Sequence, residues 1–338
     1  MYVKSRVVVV VPVFLPTLHG PPDRQFAVDG VDIRIIQSMT FNPPALVRFW
    51  RAFQEVRTEI EAGTVITLPE GTFLLGDPTQ DPRIYIRHCY PKLWNVCWKM
   101  IPDEATKTPH LVILGNPGIG KTYFGYVMLL YLARLGKTVV YQSRKSGQRF
   151  LFSQDVVAEG SEQDFVPILK QRTTFYIVDA VEPRDYPAKT ILVTSPGSVW
   201  NEFNKYNCQF CYMPVWSWDE IFTCRRLMYS DKPEVLVQDC FRRWGGITRY
   251  VLHYAEIEEQ QALLEGVFDT VTLDWLEDAC GKFGTDPEQV SHRLLHYRVK
   301  EDFTKSYFVF ASQYVLEEIY RRLYNKNSQK MLEYAASI

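Results

Sequence analysis

The segment Gly115–Thr122, GNPGIGKT, sets three glycines, a lysine and a hydroxyl residue in the spacing G-x-x-x-x-G-K-[ST]. A chain turning through such glycines can bring successive backbone N–H groups round one point, a concavity that suits a polyphosphate. Gly115, Gly118 and Gly120 allow close backbone approach, while Asn116, Pro117, Ile119 and Tyr123 complete the loop and its exit. Lys121 would reach the outer phosphates and the Thr122 hydroxyl would ligate Mg²⁺. Such a cation also needs a carboxylate from a neighbouring strand, and Asp179, ending the apolar run TFYIVD, is the candidate. Thr194 and Ser195 end the next run, KTILVTS, where a short hydroxyl could sense the terminal phosphate or simply cap a turn. Hydrolysis further needs a base to polarise water. The residue after Asp179 is Ala180, with Glu182 and then Asp185 beyond it. Either Glu182 reaches round, another segment supplies the base, or hydrolysis is slow. Arg249, just past Gly245-Gly246 in FRRWGGITRYVL, is the first choice for a cation facing the phosphates, with Arg242 and Arg243 as alternates. Arg225 and Arg226 read as surface charges.

These residues need elements to hold them. The apolar run His110–Leu114 leads into the loop, and Thr122–Leu135 leads out with Phe124, Val127, Leu130, Tyr131 and Leu135 at helical spacing. That strand–loop–helix order aims a helix N-terminus at the same point as the loop amides. Further strand-like runs at Thr138–Gln142, Thr174–Asp179, Thr190–Thr194 and Gln209–Val215 alternate with longer segments. Continuous apolar strands in β-α-β alternation predict an α/β fold: a five-stranded, mostly parallel sheet flanked by helices. After residue 216 the strands stop, and SWDEIFTCRRLMY, PEVLVQDCFRRWGG, Tyr250–Leu264 and Gln313–Tyr324 read as a C-terminal helical, lid-like region. His292 and His296 in SHRLLH then share a helix face, which is ordinary packing without the glutamate of a zinc hydrolase. Upstream, PPALVRFWRAFQEVRTEIEAG predicts a helix stopping at Gly63, and TVITLPEGTFLLGD two short strands about Pro69-Glu70-Gly71. The opening run Val7–Val11, broken by Pro12 and Pro16, reads as an edge strand rather than a leader. Three parts follow: an N-terminal module at 1–102, an α/β core at 103–216 and a helical region at 217–338.

Composition narrows the classes. The chain has 338 residues, 46% hydrophobic and 23% charged, enough for one large or two modest cores. A net charge of -1 gives no global drive toward nucleic acid or an anionic membrane. No stretch approaches the ~18 apolar residues of a spanning helix. Seven cysteines without a regular framework predict reduced thiols and an intracellular site of action. Cys208-x-x-Cys211 has no second pair to complete a zinc site and reads as structural.

Taken together, LVILGNPGIGKTYFGYVMLLYLARLGKTVVYQ, YIVDAVEP, MPVWSWDEIFTCRRLMY and FRRWGGITRYVL resemble the P-loop NTPase module of Crinkler-type effectors, shared by the retrotransposon hot spot proteins. The resemblance runs from about residue 40 to about 335, through LPEGTFLLGDP, SHRLLHYRV and FASQYVLEEIYRRL. It implies an AAA+/STAND-like ATPase in which Gly115–Tyr123 and Thr194 hold ATP or GTP, Thr122 and Asp179 hold Mg²⁺, and Arg249 faces the nucleotide from the lid. It also implies a companion nuclease-like domain or a host protein partner, delivery into a host cell and accumulation in the nucleus. The one basic run, Arg144–Arg149, reads as a solvated loop more readily than a localisation signal. Oligomers occur among such proteins, yet Lys205 is the one cation near the expected position of a trans-acting arginine. The near-neutral charge gives direct nucleic-acid binding little support.

Overall fold

Strands buried almost throughout must be covered on both faces, and four such strands with a more exposed fifth at the sheet's edge form a parallel block in this protein. Cys208–Tyr212, His110–Leu114, Lys189–Thr194, Phe175–Asp179 and Val139–Ser143 lie side by side in that order, all parallel. The computed structural model describes residues 25–35, 39–101, 110–143, 147–196, 199, 203–276, 292–304 and 306–337. The Val7–Val11 run and residues 144–146 of the basic run lie outside them; Arg149 is described and pairs with Glu162 at 3.0 Å.

The sheet is larger and more mixed than expected. Arg149–Phe152, Val157–Gly160 and Thr40–Phe41 continue it beyond Val139–Ser143, each antiparallel to its neighbour. It therefore has eight strands rather than five. Arg149–Phe152 and Val157–Gly160 follow Val139–Ser143 directly, and a chain that turns straight back pairs antiparallel without a crossover helix, while Thr40–Phe41 joins from the N-terminal part of the chain. Runs so brief carry little periodicity to read.

Pleating divides the core in two, because successive side chains point to opposite faces. Leu111 and Ile113 face a cluster containing Phe124, Val127 and Leu130 of the helix Lys121–Arg134, with helices Pro44–Glu55 and Cys89–Met100. Val112 and Leu114 face the other cluster, under helix Glu162–Leu169 and the hairpin Gln25–Val28/Val31–Arg34. Helix Pro44–Glu55 is anchored by Leu46, Phe49, Trp50 and Phe53, and ends well before Gly63. Strand Val65–Thr67 pairs with Arg83–Tyr85. The expected second strand is instead a 3-10 turn at Leu74–Gly76, where Leu75 at φ 52° cannot continue an extended run.

The C-terminal region begins with helices Trp218–Met228 and Glu234–Trp244. The predicted helix over Tyr250–Leu264 is broken into a π-helical turn, Arg249–His253, and short pieces Glu258–Gln261 and Leu263–Phe268. Strands also resume: Leu295–Val299 and Ser306–Phe310 form an antiparallel hairpin before the long helix Gln313–Ser337. His296 accordingly lies in a strand and His292 in the turn before it, not on a shared helix face. The alternation of Leu295, Tyr297 and Val299 fits a strand as well as the histidine spacing fits a helix, and pairing with Ser306–Phe310 decides between them.

Candidate functional site

The strand His110–Leu114 is buried along its whole length and ends at the carboxyl edge of the sheet, where α/β proteins place their ligand crevices. The chain then turns through Gly115–Gly120 into the helix Lys121–Arg134. Gly118 sits at φ 81°, and a Cβ there would lie 2.8 Å from the Arg249 Cβ, so only glycine fits beneath that arginine.

Five carbonyls of this turn are taken up by four segments of the chain. Those of Gly115 and Asn116 accept the Lys121 ammonium at 2.8 and 2.6 Å. Gly118 O accepts the Arg249 N–H at 3.1 Å and the Thr248 hydroxyl at 2.8 Å. Ile119 O accepts Arg87 Nη1 at 3.2 Å and Trp216 Nε1 at 2.8 Å, and Gly120 O accepts the Tyr90 hydroxyl at 2.7 Å. These bonds fix the turn from several sides, and Lys121, Tyr90, Trp216, Thr248 and Arg249, which make most of them, also line the space on its concave side.

A cavity of about 560 Å³ opens at that concave side, lined by Pro117, Gly118, Gly120, Lys121, Thr122 and Tyr123 of the loop and helix. Asp179, Ala180 and Ser195 line it from the sheet, and Thr248, Arg249, Leu252 and His253 from the C-terminal region. Tyr85, Tyr90, Trp216, Cys224, Met228 and Tyr229 form the rest of the wall. The Thr122 hydroxyl donates to Asp179 Oδ2 at 2.9 Å, so the two candidate oxygen ligands already touch. Burial holds the Lys121 ammonium down to about 7, with Asp179 opposing the shift and Arg249 adding to it.

The candidate residues do not all converge. Lys121, Thr122, Asp179 and Arg249 share the cavity. Thr194 is buried and donates to Ser195 O at 3.2 Å, and it is Ser195 that reaches the cavity wall. Glu182 is exposed and off the wall, while Asp185 pairs with His110 at 3.1 Å. Arg242 pairs with Asp239 at 2.8 Å and Arg243 donates to Gln261 at 2.7 Å, both away from the cavity. Arg225 donates to Lys232 O at 2.8 Å, and Arg226 lies over the Phe222 ring. Cys208 and Cys211 are free thiols, and among the described residues no cluster of three or more His, Cys, Asp or Glu could hold a metal.

Arg87 and Glu220 escaped the sequence reading. Arg87 is fully buried, donates to Pro214 O at 2.9 Å and pairs with Glu220 at 3.1 Å, its guanidinium 4.6 Å from the Trp216 ring. Glu220 also accepts the His88 and Ser217 N–H groups, at 3.0 and 3.1 Å, closing a capping box on helix Trp218–Met228. Both had signals. A lone arginine inside the apolar run IYIRHCY points to a buried, paired cation, and S-x-x-E marks a helix start.

Fold and site together define a mixed α/β protein with a glycine-turn crevice at the carboxyl edge of its sheet, closed over by a C-terminal region. Its sequence is distantly similar to Crinkler effectors: it is 25% identical over 270 residues to Crinkler effector protein 15 of Phytophthora infestans. With Crinkler effector protein 16 of the same organism the identity is 24% over 268 residues. Each match takes in 75% of this chain and 42% of the relative, so the chain spans less than half the length of the curated relatives it matches. No family model matches the sequence. Among the described residues no helix is long and apolar enough to cross a membrane.

Proposed function

We propose that this chain binds a magnesium nucleoside triphosphate at Gly115–Thr122, ATP in preference to GTP, and hydrolyses it slowly as the P-loop NTPase part of a Crinkler-like effector. The observation that carries the reading is the convergence of Lys121, Thr122, Asp179 and Arg249 on one cavity beneath a helix N-terminus. The Lys121 ammonium, now satisfied by two loop carbonyls, would exchange them for phosphate oxygens of higher charge. Thr122 and Asp179 present adjacent hard oxygens, a donor set that fits Mg²⁺ completing its shell with water and phosphate. Bound there, the cation would neutralise charge developing on the phosphates. Arg249 would add a positive charge from the opposite side, and Ser195 a hydroxyl. Tyr85, Met228, Tyr229 and Leu252 offer aromatic and apolar surface to a flat base. Asp179 is the one carboxylate among the described lining residues and belongs to the phosphate end, which favours adenine over the donor edge of guanine.

Ala180 on the cavity wall and Glu182 off it favour a second reading, a nucleotide-gated interaction module with little or no turnover. Because Thr248 and Arg249 both bond Gly118 O, a ligand in the loop would bear directly on the C-terminal region. In either reading the resemblance supports action inside a host cell, including the nucleus, beside a nuclease-like domain or a host protein. The test is Mg²⁺-dependent phosphate release from ATP and GTP by the chain and its Lys121→Ala variant. Release lost in the variant supports the enzyme. Binding without release supports the gate, and failure to bind either nucleotide sinks both.

A further inference from the structure

Asn116 belongs to the loop, yet its side chain leaves it. The residue is fully buried, and its Nδ2 donates to Leu295 O at 3.0 Å and His292 O at 3.4 Å, while its Oδ1 accepts the Tyr297 N–H at 2.9 Å. Centred on His296, this amide does what a residue of an adjoining parallel strand does, giving its N–H to the preceding carbonyl and its oxygen to the following N–H. The opposite edge of the same strand pairs with Ser306–Phe310, His296 facing Val309. The Asn116 side chain thus stands in for a third strand of the hairpin.

Its main chain has a separate task. Asn116 O accepts the Lys121 ammonium at 2.6 Å, beside Gly115 O at 2.8 Å. One residue therefore holds the lysine by its backbone and the hairpin by its side chain. A phosphate that draws Lys121 off these carbonyls shifts the balance of forces on Asn116. The buried amide cannot turn to solvent, so the hairpin must follow it or give up hydrogen bonds. The hairpin is in turn wired to its surroundings. Phe303 O accepts the Tyr212 N–H at 2.7 Å, and the Ala311 N–H reaches Leu294 O at 2.8 Å. Ser312 Oγ donates to Arg243 O at 3.0 Å, immediately before the helix Gln313–Ser337.

We propose that Asn116 is a positioning residue coupling phosphate occupancy of the loop to the C-terminal hairpin, so that ligand binding is felt along Leu295–Val299. The inference rests on the loop's proposed role as a nucleotide site. The experiment is hydrogen–deuterium exchange on the full chain with and without saturating Mg²⁺–ADP, occupancy being established by calorimetry. In the wild type, amide exchange along Leu295–Val299 should change by about fivefold, the equilibrium effect of one ordinary hydrogen bond. In Asn116→Ala and Asn116→Asp at saturation, the response of helix Lys121–Arg134 should persist while the hairpin's is lost. Asn116→Asp keeps an acceptor for Tyr297 and removes the donor to Leu295, so it serves if the alanine variant does not fold. Calorimetric binding with no change in wild-type hairpin exchange overturns the coupling and leaves the nucleotide site standing. A hairpin response that survives in the folded variants also overturns it. No binding at all overturns the nucleotide site and this coupling with it.

Discussion

Replacing Arg87 with methionine keeps an unbranched apolar stem and deletes a guanidinium that is fully buried. Glu220, its side chain 6% exposed, then keeps the His88 and Ser217 N–H groups but loses its counter-charge. Pro214 O loses the Arg87 donor, whereas Ile119 O retains Trp216 Nε1. Breaking one side of a buried ion pair costs about 3–5 kcal/mol. The parts agree: a hydrogen bond to a charged group contributes about 1.5–3 kcal/mol, and an orphaned buried carbonyl costs about 1–3 kcal/mol. At roughly 2 °C per kcal/mol for a chain of this size, Tm should fall by about 6–10 °C. Glu220→Gln keeps the shape but turns an NH2 group toward an N–H that Glu220 now accepts and leaves the buried guanidinium without a counter-charge, so it should cost a comparable amount, about 3–5 kcal/mol. A double-mutant cycle should therefore show coupling of the order of 1 kcal/mol or more. The pH dependence gives a second check. Burial alone would raise the Glu220 carboxyl, but the Arg87 guanidinium, helped by the Ser217 and His88 N–H groups, holds it below its ordinary value. A depressed carboxyl contributes stability above its unfolded value, about 4.3, and loses that contribution as pH falls through the folded value. The gap between wild type and Arg87→Met should narrow on acidification through that window. Scanning calorimetry across pH supplies both measurements. A loss below about 1 kcal/mol, or strict additivity, would refute the picture of a buried pair clamping the loop.

Two further expectations concern the loop and the turn opposite it. Because Lys121 is held down to about 7, the unfolded chain binds more protons between that value and the ordinary lysine value, and this group's contribution to stability rises with pH across the interval. A polyphosphate prefers the ammonium form, so nucleotide affinity should fall as pH rises through about 7, approaching tenfold per unit, with proton uptake on binding. Calorimetry in buffers of different ionisation enthalpy reads this directly, and affinity that stays flat into the alkaline range speaks against it. At Gly246 a Cβ would lie 2.2 Å from Trp216 O and 2.5 Å from its N, both backbone atoms, so Gly246→Ala should destabilise by about 3 kcal/mol. Gly266→Ala, with nothing within 4 Å of its Cβ and helix around it, should instead stabilise by about 0.5–1 kcal/mol. Equal effects in urea unfolding would discount the close approach at Gly246.

The apolar runs His110–Leu114, Phe175–Asp179 and Lys189–Thr194 were legible because a strand buried on both faces is written locally, as consecutive apolar residues. The loop was legible for a similar reason, its glycines, lysine and threonine standing within a few residues of each other. The hairpin Leu295–Val299/Ser306–Phe310 was not, since a short run can satisfy either period until a partner strand pairs with it. The antiparallel extension of the sheet was missed on the same ground.

By itself, the sequence determined the strand–turn–helix that carries Lys121 and Thr122, the run that ends in Asp179, and the absence of an acid directly after it. Only the tertiary structure decided that Ser195 rather than Thr194 meets the cavity, and that Arg249 lies over Gly118. The same holds for the loop's supports: Arg87 finds Glu220 across 133 positions, and Asn116 finds Leu295 across 179. Periodicity records which face of one element is buried. A hydrogen bond between distant elements repeats nothing along the chain, and the need of each buried donor for an acceptor becomes a particular pairing only when packing brings the two together.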